Sequence, residues 1–480
     1  MNFKPIFFVN GIMLLILSLA MMIPMMVDLA DRSTDWQVFA ASQIITAFSG
    51  FLMIFINRER VIKITLRETF LMTCLSWVLM ALYSAIPFCL AEIKLDFAHA
   101  FFEAMSGITT TGSTVISGLD TLPRGILLWR SLLHWIGGIG FLVVALAILP
   151  LLQISGMQIF KTQSFDIEKI LPSASQMAWF LLGVYSVITV VCIFCLNNAG
   201  MTFFDAVNHA MSVVATGGFS THDKSIGYFN NAQIEFVVIF FMIVASLPFM
   251  LHFRVLKRDF AAIARDSQVR VFLSICMVAI TIMAVYLLLF SPYTFFDSIR
   301  HAAFAVLAII TGTGFATQDY AAWGMLPVGL VFCLSMMGGC SGSTTGGMKT
   351  FRFQILWSML KLQVNKLITP SGVFQVHYNK KAVDANVQTA VSLFFFVYLA
   401  LFFFAGVLLM MNGLSFITAF SGAMTAISNV GPGLGPVIGP SGNFSSLNAA
   451  SLWILSACML LGRLEIFTIL VLLSPRFWRQ

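Results

Sequence analysis

Thr109-Thr110-Thr111-Gly112-Ser113-Thr114 lies between two apolar runs, and it has three counterparts in the same chain. They are Thr216-Gly217-Gly218-Phe219, Gly312-Thr313-Gly314-Phe315 and Asn429-Val430-Gly431-Pro432. The four align without gaps upstream of the shared glycine. Twelve positions before it stand Ala100, Ala206, Ala302 and Ala419. Seven before stand Met105, Met211, Leu307 and Met424, and six before stand Ser106, Ser212, Ala308 and Thr425. Small and large residues recurring in register mark an internal repeat. A lone Thr-Gly pair is an ordinary loop; four in register are not. Each unit reads as a short helix followed by an extended segment carrying glycine. Four such segments around one axis would supply a ring of backbone carbonyls, the device that replaces the water around a small cation. Glycine suits the position because the backbone must approach the ion closely in conformations that other residues avoid.

Composition sets the class. The chain has 480 residues, 59% of them hydrophobic and 10% charged, with a mean hydropathy of +0.93. That is a polytopic membrane protein. Cys74, Cys89, Cys192, Cys195, Cys276, Cys333, Cys340 and Cys458 lie in or beside apolar segments and read as small buried residues rather than disulfides or metal ligands. Cys192 and Cys195 form a CxxC, but within an apolar helix and with no second pair. The net charge of +7 does not point to nucleic acid, because the basic residues follow the membrane topology.

Hydropathy predicts an all-α protein with ten transmembrane helices. Two precede the repeats, near 6–27 and 37–56, and each repeat then reads span, pore helix, filter, span around one ion pathway. The eight spans of the repeats fall near 69–91 and 125–149, 177–197 and 231–251, 270–290 and 323–345, and 387–411 and 448–472. The organisation divides as 1–66 (two extra helices and a basic loop), 67–150, 151–255, 256–380 and 381–480 for the four repeats. Basic residues orient it: 20 of the 27 Lys and Arg fall on one side. They are Lys4, four in 57–68, Lys161 and Lys169, five in 252–270, six in 349–381, and Arg476 with Arg479. Arg32, Lys94, Arg124, Arg130, Lys224 and Arg300 fall on the other, and Arg463 lies inside the last span. The bias predicts both termini in the cytoplasm and all four filters facing outward.

Two features break the plain pattern. The second span of the third repeat contains Gly338-Gly339-Cys340-Ser341-Gly342-Ser343-Thr344-Thr345-Gly346-Gly347. So many glycines and hydroxyls cannot hold a continuous helix. Irregular backbone at membrane depth lines a cavity or is buried in protein, so this segment belongs under the filter. The plainer alternative is a kink for helix packing. It is not a phosphate loop, because Met348 separates Gly347 from Lys349. Arg463 is the second oddity. It is either one member of a structural ion pair with a carboxylate elsewhere or a positive charge near the inner end of the pore, opposing cation passage or pairing with the irregular loop. Glu465, two residues on, points to another helix face. His99, His301 and His209 read as helix-start and packing residues, and Asp96, Asp205 and Asp297 suit helix N-termini.

Several motifs together resemble one family. They are Ser-Gly-Ile-Thr-Thr-Thr-Gly-Ser-Thr (106–114), Gly-Gly-Phe-Ser-Thr-His-Asp (217–223), Ile-Gly-Tyr-Phe (226–229), the glycine-rich run 338–347, Gly-Pro-Gly-Leu-Gly (431–435) and Leu-Gly-Arg-Leu-Glu (461–465). The chain resembles Trk-type potassium uptake proteins, the TrkH/TrkG branch of the Trk/Ktr/HKT superfamily, over its whole length. The resemblance implies potassium uptake by a homodimer of the bacterial inner membrane, with one pore per subunit and surrounding lipid. It implies a cytosolic, nucleotide-binding regulatory subunit of the TrkA type. It places the filter glycines at Gly112, Gly218, Gly314 and Gly431, and the K⁺-coordinating carbonyls at Thr110, Thr111, Thr216, Gly217, Gly312, Thr313, Asn429 and Val430. It places a gate at Gly338, Gly339, Ser341, Gly342, Ser343, Thr344, Thr345, Gly346 and Gly347, with Arg463 beside it. Some plant relatives carry Ser where Gly112 stands and pass Na⁺, so by the resemblance Gly112 favours K⁺. Thr345 departs from the Gly of many relatives.

Potassium is then the cargo, and no organic cofactor is expected. The alternative is a secondary transporter coupling K⁺ to H⁺ or Na⁺, which would want a buried carboxylate such as Glu465. An enzyme is not expected, since no span carries HExxH, GxSxG or a paired-Asp motif.

Overall fold

Four short helices set the plan, and each begins with a polar cap. Asp96 accepts from Ala98 N at 3.2 Å, Thr202 from Asp205 N at 3.1 Å, Thr294 from Asp297 N at 3.2 Å and Ser415 from Thr418 N at 3.4 Å. These bonds satisfy first-turn donors that have no partner within a helix. The helices that follow are Phe97–Ile108, Phe203–Val214, Phe295–Ile310 and Phe416–Ser428. Asp96 is itself a cap, whereas Asp205 and Asp297 stand in the first turn and accept the hydroxyls of Thr202 and Thr294, both at 2.7 Å. A carboxylate there is favoured by the positive end of the helix dipole. The opposite, negative ends all run into the glycine-bearing segments.

The computed structural model describes residues 1–58, 65–145, 174–379 and 381–479. Among them seven helices are long and apolar enough to cross a membrane. They are Lys4–Ala30, Trp36–Ile56, Leu66–Leu90, Arg124–Val143, Gln176–Asn198, Ser267–Phe290 and Ala385–Met411. Their outward faces are apolar and uncovered, as Phe48, Phe51 and Phe55 show on the second. Hydrocarbon is the solvent that tolerates such a surface. The expected end of the fourth span at 149 and the boundary at 150/151 lie outside the described residues, as do Arg60, Lys63, Lys161, Lys169 and Lys380.

The other three expected spans are not continuous. Ala232–Ser246 and Phe249–Leu256 meet at 101°, and Ala449–Arg463 and Phe467–Leu473 meet at 113°. In the first, Pro248 has no N–H to continue the ladder and its ring excludes the preceding turn. In the second, Glu465 and Ile466 adopt φ of 58° and 49°, and consecutive left-handed residues end a right-handed helix. In the third repeat, Met325–Ser335 stops after 11 residues, and the chain resumes as helix only at Thr350–Ile368. Between them β1 (Met337–Gly338) and β2 (Met348–Lys349) pair in parallel, Met337 with Met348 and Gly338 with Lys349. That pairing closes the glycine-rich run into a loop whose ends touch.

Most of the buried apolar side chains form two clusters. One joins the N-terminal helices to the first and fourth repeats through Leu17, Phe102, Trp129 and Met424. The other joins the second and third through Tyr185, Val214, Phe272 and Ile309. The glycine-bearing segments meet where these two bodies face each other.

Candidate functional site

The four segments close a ring. A Cβ placed on Gly112 would run into Gly217 O, and one on Gly218 into Thr313 O. One on Gly314 would come within 2.9 Å of Gly431 N, and one on Gly431 within 3.1 Å of Gly112 O. Each copy thus abuts the next, and the fourth returns to the first. Two residues before the shared glycine, Thr110, Thr216, Gly312 and Asn429 are all left-handed, with φ of 52°, 54°, 72° and 55°. Gly112, Gly218 and Gly314 are left-handed too, at 87°, 88° and 70°. Gly431 is not, and Pro432 follows it, so the fourth copy departs from the other three.

Eight amides of these segments are used up behind the ring. Thr110, Thr216, Gly312 and Asn429 N donate to Gly107, Val213, Ile309 and Ala426 O. Thr111, Gly217 and Val430 N donate to Ser106, Ser212 and Thr425 O, the small residues already aligned by register; in the third copy Gly314 N takes Ala308 O. The carbonyls are left over. Among the described residues no donor reaches the carbonyl oxygen of Thr110, Thr111, Thr216, Gly217, Gly312, Thr313, Asn429 or Val430, and all eight residues are buried. A buried carbonyl needs a partner, and a cation on the axis is one. The negative ends of the four short helices add to the attraction.

On one side of the ring opens a mouth of about 540 Å³, lined by all four glycines together with His222 and Asp223. His222 ties the first repeat to the second: Nδ1 lies 2.5 Å from Asp120 Oδ1, Nε2 lies 3.5 Å from Asp205 Oδ1, and the ring stacks on Tyr228. Burial pulls its affinity for a proton down, but the bonds to Asp205 and Asp120 outweigh this and raise it above the usual 6.5. A raised folded-state value means that the charged imidazole supports the mouth. That support is full below the unfolded value of about 6.5 and is lost as pH rises through the raised one. We expect the melting temperature to fall as pH rises above about 6.5 and the His222→Gln variant to lack that part of the slope, as read by intrinsic fluorescence. Identical slopes would show that His222 does not titrate there.

On the other side lies the loop 338–347. A Cβ on Gly346 would meet Ser428 O and, at 2.8 Å, Asn429 Cβ, so the loop touches the foot of the fourth segment. Thr344 Oγ1 donates to Val214 O (3.1 Å) and Ala245 O (3.2 Å), Cys340 N to Ser246 O (3.0 Å), and Phe249 N to Gly342 O (2.8 Å). The carbonyls freed by the break at Pro248 are therefore taken up by the loop, and the bend and the loop satisfy each other. Arg463 is the last residue of its helix, not mid-span. Its Nη1 donates to Thr344 O at 3.0 Å, and its guanidinium lies 4.0 Å over the Phe141 ring. Thr345 Oγ1 is bonded to Ser343 Oγ at 2.8 Å and to Lys349 Nζ at 3.0 Å.

The structure brings the twelve residues of the ring together, and it brings Arg463 to the loop. Glu465 goes elsewhere, to Arg352 Nη2 at 2.5 Å. Three residues counted as loop charges are buried instead: Arg130, Lys349 and Arg352 are each 2% exposed or less. Each finds a carboxylate or carbonyl inside the protein, which outweighs the pull of water. Sequence reasoning missed Asn429 Nδ2, which bridges Thr111 Oγ1 (3.1 Å) and Met459 O (2.9 Å). Asparagine at a left-handed position was the available signal. It also missed Gln268, whose Oε1 accepts from Ser341 N at 2.7 Å across 73 residues, and Phe141; neither leaves a mark in one sequence.

The chain can now be set beside known proteins. The family described as TrkH, cation transport protein, matches residues 35–480. The Trk system potassium uptake protein TrkI of Halomonas elongata is 39% identical over 484 residues, covering 100% of this chain and 98% of that protein. The Trk system potassium uptake protein TrkH of Escherichia coli K12 is 35% identical, with 100% of both chains covered. The crystal structure of the potassium transporter TrkH from Vibrio parahaemolyticus superposes with a TM-score of 0.93 at 34% identity, covering 100% of both chains. This is a transport protein and not an enzyme. A glycine-lined ring, a loop beneath it and full-length similarity agree: the chain belongs to the TrkH family of cation transport proteins.

Proposed function

We propose that this protein takes up potassium across the bacterial inner membrane, through the ring as a selectivity filter and past the loop 338–347 as a gate. The observation that carries the reading is the set of eight buried carbonyls without donors. They are the chemistry that replaces a dehydrated cation's water. The names of the relatives supply the ion. The mouth then faces outward, both termini lie in the cytoplasm, and the loop stands between filter and cytoplasm. The chain acts as a homodimer in lipid, with a cytosolic nucleotide-binding regulatory subunit docking on the loop's side. A coupled carrier has less support, because Glu465, the carboxylate it would use, is bonded to Arg352. The test is flux from liposomes holding the purified chain: K⁺ should move far faster than Na⁺. Equal rates would sink the filter reading.

Thr345 offers a finer test of the gate. Its hydroxyl joins Ser343 to Lys349 across the loop's closure. Thr345→Gly removes both bonds, each worth about 1–3 kcal/mol, and frees the backbone. Without the regulatory subunit, K⁺ flux should rise several-fold in T345G at unchanged K⁺/Na⁺ ratio. No rise would mean that the Thr345 bonds do not hold the gate shut.

A further inference from the structure

Behind the ring, on the mouth side, sits a charged pair that the filter reading does not use. Glu103 belongs to the first short helix and is 0% exposed; Arg130 belongs to the helix Arg124–Val143 and is 1% exposed. Arg130 Nε donates to Glu103 Oε1 at 2.8 Å. The remaining bonds of both groups go to the residues just past two filter glycines. Glu103 accepts from Val115 N at 2.9 Å and from Thr114 Oγ1 at 3.0 and 3.1 Å. Arg130 Nη2 donates to Thr114 Oγ1 at 3.1 Å, and its Nη1 donates to Ser220 O at 2.8 Å. Its guanidinium also lies 4.2 Å from the centroid of Phe219, the residue next to Gly218. One ion pair therefore clasps the exit of the first segment to the exit of the second. Thr114 passes the constraint on, since its carbonyl accepts from Phe444 N of the fourth repeat at 2.8 Å.

The repeat register shows how unevenly this support is shared. Glu103 stands nine positions before Gly112, and the same place holds His209, Ala305 and Gly422 in the other copies. His209 acts alike. Its Nε2 lies 2.9 Å from Ser220 Oγ, two residues past Gly218, as Thr114 is two past Gly112. Ala305 and Gly422 have no side chain that could reach. At this position only the first and second copies carry a side chain that reaches the exit; the fourth is held by the smaller Ser421, whose Oγ accepts from Leu434 N at 3.0 Å, and the third by Ser225 Oγ, which accepts from Ala316 N at 3.3 Å.

We propose that Glu103 and Arg130 are positioning residues for ion selection. Resting on the filter reading above, they hold the first and second segments at the spacing that suits K⁺ and disfavours the smaller Na⁺. Removing the pair would let Thr111 and Gly217 follow a dehydrated Na⁺ inward. Both groups are out of water, so their bonds are the strong charge-assisted kind, and a group left without its partner would displace its neighbours.

The test compares four variants in liposomes, reading the K⁺/Na⁺ permeability ratio beside the melting temperature. Glu103→Gln and Arg130→Lys are expected to lower the ratio about tenfold, the effect of losing one charge-assisted bond. Their K⁺ flux and melting temperature should change far less. Glu235→Gln is the control for simple loss of a partly buried ion pair. Glu235 lies 3.5 Å from Arg300, and the pair makes no bond to a filter segment among the described residues, so its ratio should stay as in the parent. Gly112→Ser reports on the filter itself. If G112S lowers the ratio while E103Q and R130K do not, the proposal is overturned and the filter reading stands. If G112S too leaves the ratio unchanged, both fall. If E235Q lowers it as much as E103Q, the effect belongs to any buried pair and the proposal is overturned. Should E103Q fail to fold, R130K decides alone, since it keeps the charge and the contact with Phe219 but loses the planar fork.

Discussion

Gly112→Ser should abolish most of the discrimination between K⁺ and Na⁺ while leaving the protein folded. Gly112 has φ of 87°, a conformation that costs an L-residue about 1–2 kcal/mol. Strain is the lesser effect. The new Cβ would point at Gly217 O, backbone of the neighbouring copy, and neither can yield without moving a carbonyl of the ring. Selection between two cations of one charge depends on where those oxygens stand and how strongly they hold the ion. We expect the permeability ratio to drop at least about tenfold, a loss of about 1.4 kcal/mol in discrimination. Reversal potentials with K⁺ on one side and Na⁺ on the other read it directly. The register gives an internal comparison. Gly431 has no positive φ, and its added Cβ would stand 3.1 Å from Gly112 O, so Gly431→Ala should disturb the ratio less. Unaltered reversal potentials for G112S would take Gly112 out of the filter.

The second large effect concerns the gate. Deleting several residues from 339–346 should raise K⁺ flux without the regulatory subunit, and Arg463→Ala should do so to a smaller extent. The loop is held by single hydrogen bonds from the ends of several helices. Ser341 N binds Gln268, Thr344 Oγ1 binds Val214 O and Ala245 O, and Arg463 binds Thr344 O. Arg463 supplies a charge-assisted one, worth about 1.5–3 kcal/mol, so its loss should shift opening by about tenfold or more. The guanidinium makes no bond to a ring carbonyl among the described residues, so R463A should keep its K⁺/Na⁺ ratio. Flux equal to the parent in both variants, each shown to be folded, would reduce the loop to a packing kink.

Much of this was legible in the sequence because the repeat repeats its chemistry. The small residue six before each filter glycine is the one whose carbonyl takes the amide from the ring, so register alone exposed a working contact. The glycine-rich run announced itself because no helix tolerates it. The bends were harder to see. Pro248 could have been read as a break, but Glu465 and Ile466 are left-handed against their own preference, held by a bond from Arg352 that lies 113 residues away in the chain. Arg130, Lys349 and Arg352 looked like surface charges because hydropathy counts a cation the same way whether or not a carboxylate or carbonyl waits inside. Long-range polar partners have no local signature, and Gln268, Phe141 and Glu103 were opaque for that reason.

That the ring is closed by one chain rather than by separate copies bears on how it can change. In a pore made from identical subunits a single codon alters every side of the ring at once, and most such changes are intolerable. Here a codon alters one side in four. Gly312 and Asn429 can stand where the other copies carry threonine, and His209, Ala305 and Gly422 can stand where the first carries glutamate. Inheritance can therefore explore the filter one quarter at a time, with the other three quarters keeping the ion pathway serviceable during each step.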